Sequence, residues 1–306
     1  MTTAALPHPD RVLPGVAMML GFCVLAPLID VAAKFAVQSV SVTQVALLRM
    51  VVQAALMVPV VWLLGQTLRV STPMARLIGL RALMLLGSTY SFVAALKVMP
   101  IADALAIVFV EPFILLALGY LIFGDRVGPR RIAASVVGFG GALLVIQPNF
   151  AAFGVVALYP LATAGFFALY MLVTRRIARE VAPEPMQALT ALWGTALMLP
   201  VLALGAGTGW PALVVGGADP AVWGWLVGVG VAATVSHLLI TYALRYAPPA
   251  TLAPLHYLEI VTAVVFGWAF FGDWPNPLSW AGIAVIVAAG LYIIARERVL
   301  ARQAPR

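Results

Sequence analysis

The chain is predicted to be an all-α membrane protein of ten transmembrane helices, built as two inverted five-helix repeats with both termini in the cytoplasm. Three observations predict it: an extreme apolar composition, ten apolar stretches of spanning length, and a second half that repeats the first. The expected organisation is a cytoplasmic tail over 1–13, a first repeat over 14–147, a second over 154–295, and a basic cytoplasmic tail over 296–306.

Of the 306 residues, 63% are hydrophobic and 9% charged, and the mean hydropathy is +1.06. Soluble domains lie far from these values. A helix needs roughly 20 mostly apolar residues, at about 1.5 Å each, to cross the hydrocarbon core. Such stretches run over 14–35, 43–64, 76–96, 101–123, 131–147, 154–174, 186–206, 221–244, 250–271 and 278–295. Spanning strands would alternate polar and apolar residues, whereas Gly138 to Ile146 and Ile283 to Ile294 are apolar on every side. Turn residues gather between stretches, as in Gln147-Pro148-Asn149, Gly205 to Pro211 and Trp274-Pro275-Asn276-Pro277.

The net charge of +7 would suggest nucleic acid in a soluble protein, but its distribution points to a membrane instead. With cytoplasmic termini, the tails and even-numbered loops hold fourteen of the eighteen basic residues: Arg11, Arg69, Arg76, Arg126, Arg130, Arg131, Arg175, Arg176, Arg179, Arg245, Arg296, Arg298, Arg302 and Arg306. Lys34 and Lys97 edge the odd-numbered loops, and Arg49 and Arg81 lie within stretches. The positive-inside rule therefore places both ends in the cytoplasm. No nucleic-acid partner is expected.

The duplication begins at Ala95-Leu96-Lys97 and again at Ala243-Leu244-Arg245, 148 residues later. Without a gap, Pro100 falls on Pro248, Glu111 on Glu259, Gly119 on Gly267, Phe123-Gly124-Asp125 on Phe271-Gly272-Asp273, and Pro129 on Pro277. Five spans per half is odd, so the second half enters from the opposite side. Inverted repeats suit alternating access to a site where the halves meet.

Ionisable residues inside apolar stretches are expensive and mark function by default. Here they are Asp30, Lys34, Arg49, Arg81, Asp103, Glu111 and Glu259. Glu111 and Glu259 lie eleven residues past the aligned prolines, about 16 Å along a helix and so near the midplane. A carboxyl there could exchange a proton, hold a cationic substrate group, or simply bond to the backbone of a neighbouring helix, with Pro112 kinking one of the two stretches. Asp30 and Lys34, spaced i, i+4, are expected to pair. Arg49 could join them or bind a substrate carboxylate. Arg81, toward the inner end of its stretch, is expected to snorkel to the headgroups or to gate.

His8 is in the tail, while His237 and His256 are in apolar stretches; His256 precedes Glu259 by three residues and shares its face. It could relay protons, touch substrate, or be a satisfied polar residue. Tyr90, Phe92, Phe109, Phe113, Tyr242 and Tyr257 could line an aromatic cavity or serve packing. Trp62, Trp210, Trp274 and Trp280 read as interfacial anchors. The small-residue spacings Gly224/Gly228 and Ala134/Gly138/Ala142 permit close helix approach, within the bundle or in a homodimer. The single Cys23 allows no intramolecular disulfide and reads as core. No cleaved signal is expected, the first stretch serving as an uncleaved insertion signal.

The ten stretches, the similar halves, the Phe-Gly-Asp endings and the Ala-Leu-Lys/Arg entries with proline three residues on resemble the drug/metabolite transporter superfamily, specifically the EamA family. Within it, Asp30 with Lys34, the run Gln44 to Arg49, and Leu80-Arg81-Ala82 are similar to the branch with S-adenosylmethionine and riboflavin uptake carriers. Ala104 to Phe113 resembles the riboflavin carriers in particular. The resemblance implies a secondary carrier in the bacterial cytoplasmic (inner) membrane with a central cavity, energised by protons or exchange. It implies uptake of an aromatic or heterocyclic metabolite such as riboflavin, with amino-acid export as the alternative. Asp125 departs from the glutamate of many relatives at that position.

The expected partners are a small-molecule substrate and membrane lipid; no cofactor or metal is expected. Neither H-E-x-x-H nor G-x-S-x-G occurs, and the loops are too short for a nucleotide domain, so an enzyme is not expected. A passive channel would show flux without saturation.

Overall fold

The computed structural model describes residues 12–123, 129–178, 180–246, 252 and 255–303. His8, Arg11, Asp125, Arg126, Arg179, Pro248 and Arg306 lie outside the described residues. Among the described residues all regular structure is helical: α1 (Val12–Val37), α2 (Val42–Leu63), α3 (Thr72–Leu96), α4 (Ile101–Val108), α5 (Glu111–Phe123), α6 (Pro129–Phe153), α7 (Tyr159–Ile177), α8 (Pro183–Thr208), α9 (Pro220–Tyr246), α10 (Leu258–Phe271) and α11 (Pro277–Gln303). A 3₁₀ turn, Gly154–Leu158, joins α6 to α7.

Among the described residues, seven helical stretches are long and apolar enough to cross a membrane. One of them, 132–174, runs through the 3₁₀ turn and covers two predicted spans, and the shorter apolar helices Leu258–Phe271 and Pro277–Tyr292 follow.

Local chemistry sets the helix ends. Ser41 caps α2 by accepting from Gln44 N at 3.1 Å, and Asn276 Oδ1 accepts from Leu278 N and Ser279 N at 3.0 and 2.9 Å to start α11. Gly209 and Gly272 end α8 and α10 with φ of 65° and 69°, the left-handed conformation in which a Cβ is costly.

The structure corrects several predicted boundaries. The stretch 101–123 is two helices, interrupted at Phe109 and Val110, and the stretch 250–271 is interrupted at Tyr257. Gln147-Pro148-Asn149 is not a loop: α6 continues to Phe153, with Asn149 Nδ2 bridging Val145 O at 2.8 Å and Asp103 Oδ2 at 3.0 Å. Helix α11 runs past 295 into the expected tail.

The main packing lies between the repeats. Helix α1 packs on α9, α3 on α7, α2 on α8 and α9, α3 on α8, and α6 on α11. Exchanging the two halves maps this set onto itself: α1 with α9 becomes α7 with α3, and α1 with α10 becomes α7 with the α4/α5 pair. The duplication is thus expressed as a pseudo-two-fold interlocking of repeats. Helix α4 lies at its centre, with Ile101 to Ile107 all buried. A helix apolar on all sides but for Asp103, which Asn149 answers, belongs there.

The closest approach of α6 and α11 is at Gly141 and Gly282, where a Cβ on Gly282 would lie 2.6 Å from Gly141 O. In the predicted stripe Ala134/Gly138/Ala142, Gly138 instead faces Phe113, and Gly224 faces open space. Cys23 is core, as predicted: it is 1% exposed and donates to Leu255 O at 3.2 Å.

Candidate functional site

The two interruptions occupy matching positions, since Phe109 and Tyr257 are 148 residues apart. Each places an aromatic ring at the break and a glutamate in the first turn of the helix that follows, Glu111 in α5 and Glu259 in α10. A broken helix exposes backbone donors and acceptors inside the bundle, and a carboxylate at the new N-terminus is favoured by the helix dipole. Pro112, which lacks an N–H, suits the first turn of α5. The second break has no proline at the matching position, Ile260.

Around the breaks the chain assembles a ring cluster. Phe109 lies 5.2 Å from Tyr257 and 5.3 Å from His256, and Phe22 of α1 also packs on His256 at 5.3 Å. His256 Nε2 meets Glu259 Oε2 at 2.9 Å. Thr262 donates to Cys23 O at 2.5 Å, tying α10 to α1. Glu111 Oε1 is buried and has no hydrogen-bond partner among the described residues.

Asp30 of α1 is half-buried, within electrostatic reach of Arg49 and Glu259. Arg49 of α2 donates through one terminal nitrogen to Thr89 at 2.6 Å, while its Nε is buried without a partner among the described residues. His237 of α9 has a buried Nδ1 in the same condition and lies within reach of Arg49 and Arg81. The sequence-predicted residues Glu111, Glu259, His256, Asp30, Arg49, Phe109 and Tyr257 therefore share the interior between the repeats. Tyr90 does not join them. It is 37% exposed and lines a crevice of about 260 Å³ with Thr43, Leu86, Leu197 and Val201.

The expected Asp30–Lys34 pair is not formed. Lys34 Nζ instead contacts Asp273 Oδ2 at 2.6 Å and Met99 O at 3.0 Å, and sits over the Phe271 ring at 4.6 Å. Lys34 lies in the last turn of α1 and reaches the turn after α10, whereas Asp30 lies a turn deeper and faces the interior. Nearby, Gln38 bonds to Lys97 O, and Ser41 and Thr43 bond to the 212–214 backbone, so the helix ends here are tied to one another. With side chains 12% and 27% exposed, the Lys34–Asp273 pair is worth on the order of 1 kcal/mol. Lys34→Asp should lower the unfolding temperature in detergent, and the exchange Lys34→Asp with Asp273→Lys should restore most of the loss.

Arg81 does not snorkel. It begins about 13 Å along α3, too deep to reach the helix end, and is 1% exposed. Its Nε donates to Thr174 at 2.8 Å, and its terminal nitrogens donate to the hydroxyls of Thr190 and Tyr170. The guanidinium also lies over the Tyr170 ring at 4.3 Å. Thr174 and Thr190 pass their own protons to the carbonyls of Tyr170 and Met186 at 2.7 Å, leaving oxygen lone pairs for the arginine.

Removing an acceptor leaves a buried charge underserved, whereas removing the charge leaves the threonines satisfied. Thr190→Val should therefore destabilise by about 2–3 kcal/mol and Arg81→Met by about 1 kcal/mol, read by thermal unfolding in detergent.

Sequence reading missed Tyr170, Thr174 and Thr190, because neutral hydroxyls one turn apart on helices carry no charge signal. It also missed Glu184, 2% exposed, which accepts from Tyr242 at 2.7 Å and Gln66 at 3.3 Å. An acid within an apolar first turn was the signal that could have found it.

Two interlocked helical repeats, with a broken helix from each meeting at an interior polar and aromatic cluster, define a membrane carrier architecture. The chain belongs to the EamA-like transporter family, whose profile matches residues 13–147 and 153–296. It is a multi-pass protein of the bacterial inner membrane.

Among curated relatives, it is 33% identical over 210 residues to a riboflavin transporter of Rhizobium johnstonii, covering 68% of this chain and 66% of that protein, about two thirds of its length. It is 24% identical over 287 residues to an S-adenosylmethionine uptake transporter of Rickettsia felis, covering 94% of each. It is 28% identical over 201 residues to a pseudopaline exporter of Pseudomonas aeruginosa, covering 64% of this chain and 66% of that one. A crystal structure at 20% identity superposes with a TM-score of 0.60 over 92% of this chain and 95% of that one, a likeness of fold.

Proposed function

We propose that this chain is a secondary carrier that takes up an aromatic or heterocyclic metabolite by alternating access, with riboflavin as the first candidate, and that it has no enzymatic activity. The observation that carries this reading is the pair of matched helix breaks, which gather Phe109, His256 and Tyr257 beside Glu111 and Glu259. Aromatic faces offer stacking to a flat ring system, and the flanking carboxylates, imidazole and broken backbone offer hydrogen bonds that orient it. The riboflavin transporters among the relatives support the same choice.

In this reading the chain spans the bilayer ten times with both termini cytoplasmic, and the α4/α5 pair and the predicted stretch that ends in α10 are each one interrupted span. The repeats 14–147 and 154–295 rock about the site, with lipid on the outer faces. The Lys34–Asp273 end then faces away from the cytoplasm.

The test is growth rescue of a riboflavin-auxotrophic bacterium lacking its own carrier, with accumulation of labelled riboflavin. Rescue and saturable accumulation are expected. Failure with verified membrane expression would overturn the substrate. The interior also holds charges of both signs, Glu111 and Glu259 against Arg49, whose Nε has no partner among the described residues, which favours a zwitterion as the second reading. Resistance to toxic amino-acid analogues would then identify export.

A further inference from the structure

The two midplane glutamates are duplicates in sequence but not in surroundings. At the 148-residue offset, His256 falls on Val108, so the imidazole that meets Glu259 has no counterpart before Glu111. In the structure Glu259 Oε2 is 2.9 Å from His256 Nε2, while Glu111 Oε1 is buried with no partner among the described residues. His256 nevertheless belongs to both breaks, since its ring packs on Phe109 of the first one at 5.3 Å.

We propose that His256 makes the pair functionally unequal: it holds Glu259 as a charged, positioned carboxylate and leaves Glu111 as the carboxyl that binds the exchangeable proton or the cationic group of a substrate. A carboxylate facing an imidazole Nε2–H at this distance has its charge answered. A carboxyl in low dielectric without such a partner is neutralised by whatever proton or cation reaches it.

The groups facing the His256–Glu259 pair from packed elements are Asp30 and Cys23 on α1 and Glu111 on α5, with Arg49 of α2 facing Asp30. Asp30 thus has a cation of its own nearby, and Cys23 is committed to Leu255 O. Glu111, which His256 and Tyr257 reach through space but to which no described residue hydrogen-bonds at Oε1, is the acid left to respond. His256 acts here as a positioning residue, and the proposal deepens the carrier reading by assigning its coupling group.

The test reads carboxyl chemistry directly and needs no substrate. Dicyclohexylcarbodiimide reacts with protonated carboxyls in apolar surroundings, and the adduct can be placed by peptide mass spectrometry on the full-length protein in lipid vesicles. In the wild type, Glu111 should carry at least about tenfold more adduct than Glu259. In His256→Val the difference should collapse as Glu259 becomes reactive. In Val108→His with His256→Val, which moves the imidazole to the matching position before Glu111, the preference should reverse.

Equal labelling, preferential labelling of Glu259, no labelling of either, or an unchanged ratio in His256→Val would each overturn the assignment. The wild-type ratio decides by itself if a variant does not fold. Unequal labelling in a protein that fails to move riboflavin would leave the asymmetry standing and remove only the substrate.

Discussion

Gly282→Leu should leave almost no correctly folded protein, a loss of more than about 3 kcal/mol. Even the first added carbon would lie 2.5 Å from Val145 Cγ2, 2.6 Å from Gly141 O and 3.1 Å from Val145 N. A methyl group can turn away, but Gly141 O and Val145 N are backbone of a paired helix, so relief requires moving α6 as a whole. That contact joins the fifth predicted span to the tenth and couples the repeats, so the strain would spread across the interface. Gly224→Leu is the control, because its added carbon meets nothing within 4 Å. Size-exclusion profiles in detergent and thermal unfolding should separate the two; comparable profiles would show that the α6–α11 crossing is not the tight joint of the bundle.

Glu111→Gln should reduce transport of the accepted substrate at least about 100-fold, equivalent to about 2.7 kcal/mol, with expression and unfolding temperature near wild type. Glutamine keeps the shape and hydrogen-bonding capacity of the side chain but neither exchanges a proton nor carries charge. Among the described residues Glu111 Oε1 has no hydrogen-bond partner and His256 reaches the carboxyl only through space, so folding has little to lose. Glu259→Gln is different: it removes the negative charge that His256 Nε2 faces at 2.9 Å, so loss of transport should come with reduced thermal stability. Substrate counterflow in vesicles, measured across pH, checks both. Full activity with unchanged pH dependence in both variants would mean that the carboxyls at the breaks serve structure only.

Much of the architecture was legible in the residues because lipid imposes one solution on a long apolar chain: backbone groups must bond within a helix. The duplication was legible too, since Pro100/Pro248 and Glu111/Glu259 recur in fixed register. The breaks were legible only in part: Pro112 predicts a kink near the first, whereas Tyr257 has no strong turn propensity and apolar composition continues past it, so buried surroundings, rather than local preference, sustain the second. The partner of Lys34 was misread for a related reason. The i, i+4 rule favours Asp30, yet it describes an isolated helix surface, and in the bundle Asp273 approaches from 239 residues away.

What the sequence by itself determined was the solvent, the helical class, the two-fold repetition and the short roster of interior charges, all of which follow from composition and spacing. Only the tertiary structure decided which of those charges meet. It put Arg81 among three hydroxyls, Lys34 against Asp273, and His256 against Glu259 and not against Glu111. The physical reason is that the cost of a buried charge is a property of the chain, whereas its relief depends on which neighbouring helices present a donor or acceptor within about 3 Å.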